Sequence, residues 1–567
     1  MACSKIFSGD LPELTYNIIQ YLRKDISTLY SCILVNRLWC RLAIPLLWED
    51  PFSLSTQNYH YINTYLCFLN EDGKAKFNEY GINDNLLLSN TLFNYPSFIK
   101  YLDTFKISNS VEDWVITLEY KYNHILGKLA YRSLLEVLLI ENEVNSHSFE
   151  VVLDMNFYYN SYFDDTIDLI LQYPNLTYNI RGLTLSHVTL SENTIPFLKF
   201  LSSNYNSISS IVFKFHLYKI DINDYSLVEN YLSPIIISQN NLKKISFGSF
   251  VNLYSPFLTL KNFNCSNTLN TITFYFIDFK NIISILQEVF DQLNVLESIH
   301  IIYCDSLNPD FVQQIIKVIK PFKLRSLFMN EIILNEHIES LLLLLQKFSD
   351  CLENFGFGCG KMGETIYYEQ KQQLFEFIIK YCKKIRYFYS GIPYYNNNNN
   401  SIYLLIEKNQ HIINYIIIEG DFFENYSIYK DSSILLRNLG QALPSRLEYL
   451  CLALSFITSD LEIFLKNSQN TFIKKLLISN KFEYTPEEDE RDENTKILFF
   501  IKKYIMKKER IKYLAIVESD SNASTAPVEL FFLKDEVNEY KLHNIIVKKY
   551  DDLYIDTFSY INNHTQC

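Results

Sequence analysis

The chain has 567 residues, 48% of them apolar and 16% aromatic, with only 20% charged and a net charge of −13. That length exceeds one ordinary core, so several domains or a repeat array are required, and the apolar content excludes a disordered chain. The acidic balance excludes a nucleic-acid groove as the main function, because neutralising phosphates needs a basic field.

Residues 8–50 read as a compact helical module. Asp10 and Pro12 suit a helix start, after which Leu14, Ile18, Ile19 and Leu22 share one face. A second helix carries Leu29, Ile33 and Leu34, and a third runs from Val35 through Trp39 and Leu42 towards Leu47 and Trp48. The approach to the first helix is too short and polar for a secretory leader, so none is expected.

Residues 51–130 read as a helical linker that passes into the start of a solenoid. Tyr61, Tyr65, Leu66 and Leu69 have helical spacing, as does the run from Leu86 to Leu92, and Tyr95-Pro96-Ser97-Phe98 reads as a turn before a short helix.

A repeat then governs residues 131–517. Its regular part is Leu242-x-x-Ile245-x-Phe247, Leu269-x-x-Ile272-x-Phe274, Leu296-x-x-Ile299-x-Ile301, Leu324-x-x-Leu327-x-Met329 and Leu352-x-x-Phe355-x-Phe357, at steps of 27, 27, 28 and 28 residues. Weaker copies precede it at Leu134-x-x-Val137-x-Leu139, Ile180-x-x-Leu183-x-Leu185 and Ile208-x-x-Ile211-x-Phe213. Others come after it at Ile385-x-x-Phe388, Ile412-x-x-Tyr415-x-Ile417, Leu447-x-x-Leu450-x-Leu452, Ile473-x-x-Leu476-x-Ile478 and Ile511-x-x-Leu514-x-Ile516, which makes thirteen candidate strands. Helical spacing fills the gaps, as at Ile282 to Phe290, Phe311 to Ile319, Gln372 to Cys382, Ser432 to Leu443, Ser459 to Lys466 and Thr495 to Lys508. One strand cannot bury its apolar face alone, so such units gain stability by stacking.

Two low-complexity stretches, Asn396 to Asn400 and Glu483 to Glu493, read as projecting loops. The cationic cluster from Lys502 to Lys512 reads as the wet face of a helix screened by those acids. Residues 518–567 lose the period and read as a C-terminal cap. No run is long and uncharged enough for a membrane helix.

No catalytic constellation is legible. The 13 glycines form no phosphate loop, and the ten histidines lie apart from one another, with no HExxH. The eleven cysteines are odd in number and lack a CxxC pair, so they read as reduced, mostly buried thiols in a reducing compartment, cytoplasmic or nuclear. His300 reads as a surface or contact residue. The expectation is a protein that is not an enzyme and has no cofactor or metal.

Two resemblances give the pattern a meaning. The LxxLxL period of the repeat looks like the leucine-rich repeat, although the family's Asn or Cys after the strand is matched only by Asn142 and Cys304. Leu11-Pro12-Glu13-Leu14, Ile18, Leu22, Asp25, Leu29, Val35, Arg37, Trp39 and Leu47-Trp48 resemble the F-box in order and spacing, with Asn36 where that family often has Cys or Ser. Together they imply an α/β solenoid: a three-helix F-box, then an irregular horseshoe with parallel strands inside and helices outside. They also imply a substrate receptor of an SCF ubiquitin ligase, which binds a Skp-type adaptor, and through it cullin, by Leu11, Pro12, Leu14, Ile18, Leu22, Val35 and Trp39. The alternative is a non-degradative repeat scaffold whose first helices only cap the array.

Strand alternation places the target surface on the residues between the core positions. Tyr275, His300, Phe328, Asn330, Tyr387 and Tyr389 are thereby expected on one exposed face that holds a target protein. The competing expectation is that these aromatics pack across neighbouring strands.

Overall fold

The structure is a computed structural model that describes residues 12–23, 25–53, 59–82, 91–118, 124–144, 149–154, 180–186, 194–203, 208–214, 222–249, 253–330, 332–358, 368–391, 400–420, 427–482, 497–506, 510–520 and 527–564, with isolated positions between 162 and 173. The chain divides into two compact units, residues 1–270 with 292–295, and residues 271–291 with 296–567.

The first unit opens with three helices, α1 (Pro12–Tyr21), α2 (Ile26–Ile33) and α3 (Arg37–Leu47). Asp25 and Asn36 cap α2 and α3 by accepting from the Thr28 and Trp39 amides, which gives Asn36 a local reason of its own, because a helix start leaves amides unpaired. Ile19, Leu29, Cys32, Trp39, Ala43, Leu46 and Leu47 form the core of this module. The buried Glu49 carboxylate anchors the module to the first strand: it pairs with Arg23 and lies 3.5 Å from Lys100. The Glu49 carbonyl also accepts from the Lys100 and Tyr101 amides, at the start of β1 (Tyr101–Asp103).

Strands β2 (Phe149–Asp154), β3 (Ile180–Ser186), β4 (Ser210–Lys214) and β5 (Lys244–Gly248) add to β1 in chain order, all parallel. Leu183, Leu185, Ile211, Phe213, Ile245 and Phe247 are buried, as are Leu198, Leu201, Leu232 and Ile235 on the intervening helices. One expectation fails here: Leu134, Val137 and Leu139 lie on a helix, His124–Val144, and not on a strand. Leu126, Ala130, Leu134 and Leu138 are buried at every fourth position, the period of a helix face. The strand that precedes β3 is β2, which matches none of the thirteen candidates.

The second unit repeats the design with more regularity. Its strands are β6 (Thr271–Tyr275), β7 (Ser298–Ile302), β8 (Lys323–Asn330), β9 (Asn354–Gly358), β10 (Tyr387–Gly391), β11 (Tyr415–Glu419), β12 (Arg446–Leu454), β13 (Phe472–Phe482) and β14 (Ile511–Asp520). Each pairs in parallel with the next. The helices expected after β9, β11, β12 and β13 form, at Tyr368–Tyr381, Ser427–Ala442, Thr458–Asn467 and Ile497–Tyr504. Each unit is thus an α/β array that adds one parallel strand per repeat, the solenoid type of construction.

Backbone groups between repeats are satisfied by buried polar side chains. The Cys304 thiol lies 3.5 Å from the Ile277 amide, the role its place after the strand implies. Asn480, one position earlier in its own repeat, accepts from the Phe456 amide at 3.1 Å. At the other end of the repeat, Gln239 and Asn409 accept from the Ile208 and Ile385 amides. These four repair the same kind of deficit, since an unpaired buried amide costs about 1–3 kcal/mol.

Beyond β14 the chain changes direction. Strand β15 (Val528–Glu529) pairs antiparallel with β14, and β16 (Ile546–Val547) pairs with it in parallel. Lys502 meets Glu536 and Glu539 in this C-terminal part, and Lys503 meets Glu462, so these two lysines are screened by acids other than those at 483–493. Residues 396–399 and 483–493, expected as loops, lie outside the described residues.

Candidate functional site

Two surfaces contain the residues singled out from the sequence. The first is the N-terminal module. Pro12, Leu14 and Ile18 on α1 and Val35 before α3 are exposed, with Leu14 at 48% and Val35 at 44%. Leu22 is half-buried against the core, and Trp39 is part of that core. Leu11 lies outside the described residues. Tyr21, Tyr30 and Leu34 are exposed as well, Leu34 at 86%; the sequence pattern places Leu34 on a helix face without giving it a role. The seven-residue core of the three helices does not include these side chains, so several large apolar groups are left to solvent.

The second surface is the face of the sheet in the second unit that points away from the helices. Register aligns its side chains in rows. One row runs Thr273, His300, Ser326, Asn354, Tyr387, Tyr415, Tyr449 across seven strands. At its polar end, Ser326 Oγ lies 2.7 Å from His300 Nδ1 and accepts from Asn354 Nδ2 at 2.8 Å. At its aromatic end, Tyr387, Tyr415 and Tyr449 stack with centroids 6.2 and 5.9 Å apart. The neighbouring row runs Tyr275, Ile302, Phe328, Gly356, Tyr389, Ile417, Cys451. Gly356 is required there, because a Cβ would stand 2.5 Å from the Tyr389 carbonyl oxygen.

This face is not exposed, which corrects the expectation for its residues. His300, Phe328 and Tyr387 have no accessible surface, Tyr389 is at 9%, and Tyr275 and Asn330 are half-buried. Cross-strand packing accounts for part of this, as in the Phe328–Tyr387 edge contact at 5.5 Å. The rest comes from the chain itself: residues 550–564 lie against the same face. Tyr560 packs on Tyr387 and Tyr415 at 4.3 and 4.7 Å, and Phe558 on Tyr275 at 4.5 Å. Thr557 Oγ1 lies 3.3 Å from the Tyr387 hydroxyl and 3.5 Å from that of Tyr303. The Ile555 amide donates to Tyr449 Oη at 3.1 Å, and Tyr550 Oη lies 3.2 Å from Cys451 Sγ.

Glu419 stands where sheet and segment meet. Its Oε2 accepts from the Tyr389 hydroxyl and its Oε1 from the Tyr554 hydroxyl, both at 2.9 Å. Burial pushes the Tyr275 hydroxyl up to about 12. Burial first, and then the nearby Glu419 carboxylate, raise Tyr554, and burial, then Cys451 and after it Glu419, raise Tyr550, because desolvation and a neighbouring negative charge both disfavour phenolate. Burial also holds the Cys304 thiol at about 12, which removes it as a nucleophile at neutral pH.

Tyr415 and Glu419 escape the sequence pattern through a slip of one residue. The pattern Ile412-x-x-Tyr415-x-Ile417 assigns Tyr415 to the helix side, whereas Ile416 and Ile418 face the helices and Tyr415, Ile417 and Glu419 the other way, as pairing with Leu450 and Leu452 dictates. A shift of one residue exchanges the two faces of a strand.

Among the described residues, no group of three or more His, Cys, Asp or Glu could hold a metal ion, and no helix is long and apolar enough to cross a membrane. No protein-family model matches the sequence, and no curated protein matches it.

Proposed function

We propose that the protein is a non-catalytic recognition subunit of an SCF-type ubiquitin ligase, cytoplasmic or nuclear, in which the N-terminal module acts as an F-box and the leucine-rich repeats hold a target protein. The observation that carries this reading is the exposure of Leu14 and Ile18, one turn apart on α1, and of Leu34 and Val35 between α2 and α3, on a module whose core is already filled. So much exposed apolar surface on so small a unit favours a binding role, and α1 carries Pro12, Leu14 and Ile18, the positions the resemblance assigns to the Skp-type adaptor. Trp39 supports the site from beneath.

A second reading, in which the module only caps the array, draws on the tie between Glu49, Arg23 and Lys100 at the edge of β1. That tie engages the end of the module near Trp48 and leaves the apolar face of α1 free for a partner.

The test is capture of a purified Skp-type adaptor by the full chain. Pro12→Ala with Leu14→Ala is expected to abolish capture while circular dichroism stays unchanged, because both side chains are exposed. Capture at wild-type level by the double variant excludes the F-box reading. Proteasome-dependent turnover of a bound protein then separates a degradative receptor from a scaffold.

A further inference from the structure

The segment that covers the sheet face of the second unit has the properties of a bound ligand. Its helix, Thr557–His564, carries its own start: Asp556 accepts from the Ser559 amide at 3.0 Å, and its carbonyl accepts from the Tyr560 amide. Side chains carry contacts between segment and sheet: rings on rings, the Thr557 hydroxyl on tyrosines, a tyrosine hydroxyl on a carboxylate, and one amide on a tyrosine oxygen. Strand β16, which precedes the segment, is joined to the edge strand β14 by backbone pairing instead.

We propose that this face is a peptide-binding groove for a tyrosine-rich, N-capped helical segment, and that residues 550–564 are its built-in occupant, which a target of the same chemistry displaces. The groove offers three kinds of subsite. Glu419 Oε1 takes a tyrosine hydroxyl, the place now held by Tyr554. The hydroxyls of Tyr303 and Tyr387 take a small hydroxyl, now Thr557. The ring faces of Tyr387, Tyr415 and Tyr275 take two aromatics, now Tyr560 and Phe558. The recognised pattern is therefore that of Tyr554-Ile555-Asp556-Thr557-Phe558-Ser559-Tyr560. Glu419 disfavours a carboxylate in the subsite now held by the Tyr554 hydroxyl, since a second carboxylate there is repelled. A tethered occupant competes at an effective concentration on the order of millimolar, so only a target that matches these contacts displaces it. The inference rests on the target-binding half of the proposed function and not on adaptor docking.

The test uses the full chain and a fluorescein-labelled synthetic peptide of residues 550–564. Phe558→Ala with Tyr560→Ala weakens the occupant and leaves the groove intact, so this variant is expected to bind the peptide roughly tenfold or more tighter than the wild type. Adding Glu419→Gln should reverse much of that gain, and a peptide carrying Tyr554→Phe and Tyr560→Ala should bind weakly. If the folded double variant binds no better than wild type, or binds the altered peptide equally well, the groove reading fails. Should the double variant not fold, hydrogen exchange on Tyr554→Phe decides. Faster exchange confined to 550–564 supports displacement; exchange that rises equally across β10 to β13, or nowhere, overturns it. None of these readouts involves the adaptor, so loss of the F-box reading leaves them intact.

Discussion

The N-terminal module and the sheet of the second unit solve the same problem in opposite ways. Each carries more apolar and aromatic surface than its own element can bury, but the module leaves Leu14, Ile18, Leu34 and Val35 in solvent, whereas the sheet hides Tyr275, Phe328, Tyr387 and Tyr389 beneath residues 550–564 and one another. Apolar patterning shows that a face must be covered. It does not show whether a partner, a neighbouring strand or the chain itself covers it, because burial stabilises equally from any source.

The contrast predicts that equal truncations have unequal costs. Tyr387→Ala should be the most damaging, about 3–5 kcal/mol in urea unfolding, because that ring is fully buried and touches Phe328, Tyr415 and Tyr560. Trp39→Ala should cost about 3 kcal/mol, read as loss of the module's helical signal, because the indole is core and not contact surface. A Trp39→Ala variant that stays fully folded and loses only adaptor capture would move Trp39 back to the surface class.

Glu419→Gln should cost less, about 1–2 kcal/mol, since the amide oxygen still accepts one tyrosine hydroxyl but the charge is gone. Its effect should be concentrated in protease sensitivity of residues 550–564. Alkali provides a related probe. Tyr275 is held at about 12 in the fold against an ordinary 10.0, and Tyr550, Tyr554 and Tyr560 are also raised. The unfolded chain therefore loses these protons first, so their contribution is intact below pH 10 and falls as pH rises above it, for Tyr275 through about 12. Tyrosine absorbance should lag behind that of free tyrosine and then appear together with the unfolding signal. Leu34→Ser marks the other extreme: within about 0.5 kcal/mol of wild type, because its side chain is already in water.

Much of the array is legible in the sequence because its strands alternate. At β6 and β7, Ile272, Phe274, Ile299 and Ile301 fall on the helix side as the repeat requires. Legibility fails where alternation fails. Ile412 to Ile418 is apolar at all but one position, so nothing local fixes its register, and the pairing with β12 decides it. Leu134, Val137 and Leu139 satisfy a strand pattern and a helix face at once, and length settles the matter in favour of a helix of 21 residues. Strand β1 has three residues, too few to show a period, and β2 departs from alternation, with Val151, Val152 and Leu153 in succession. The cover over this sheet face is illegible for a different reason: Tyr554 and Tyr560 reach their partners across more than a hundred residues, a separation at which no local pattern speaks.

The arrangement also sets an order of events on the ribosome. Tyr303 and Thr557 meet across 254 positions, and at about 5–20 residues per second the interval between their synthesis is on the order of tens of seconds. The entropic cost of closing so long a loop grows only logarithmically, so the delay matters more than the energy. Within it the rows on β6 to β12 are completed strand by strand and stay uncovered until Thr557 is made. The length of that interval is set by the position of the covering segment, so moving the segment nearer to β6 in a circular permutant should shorten it.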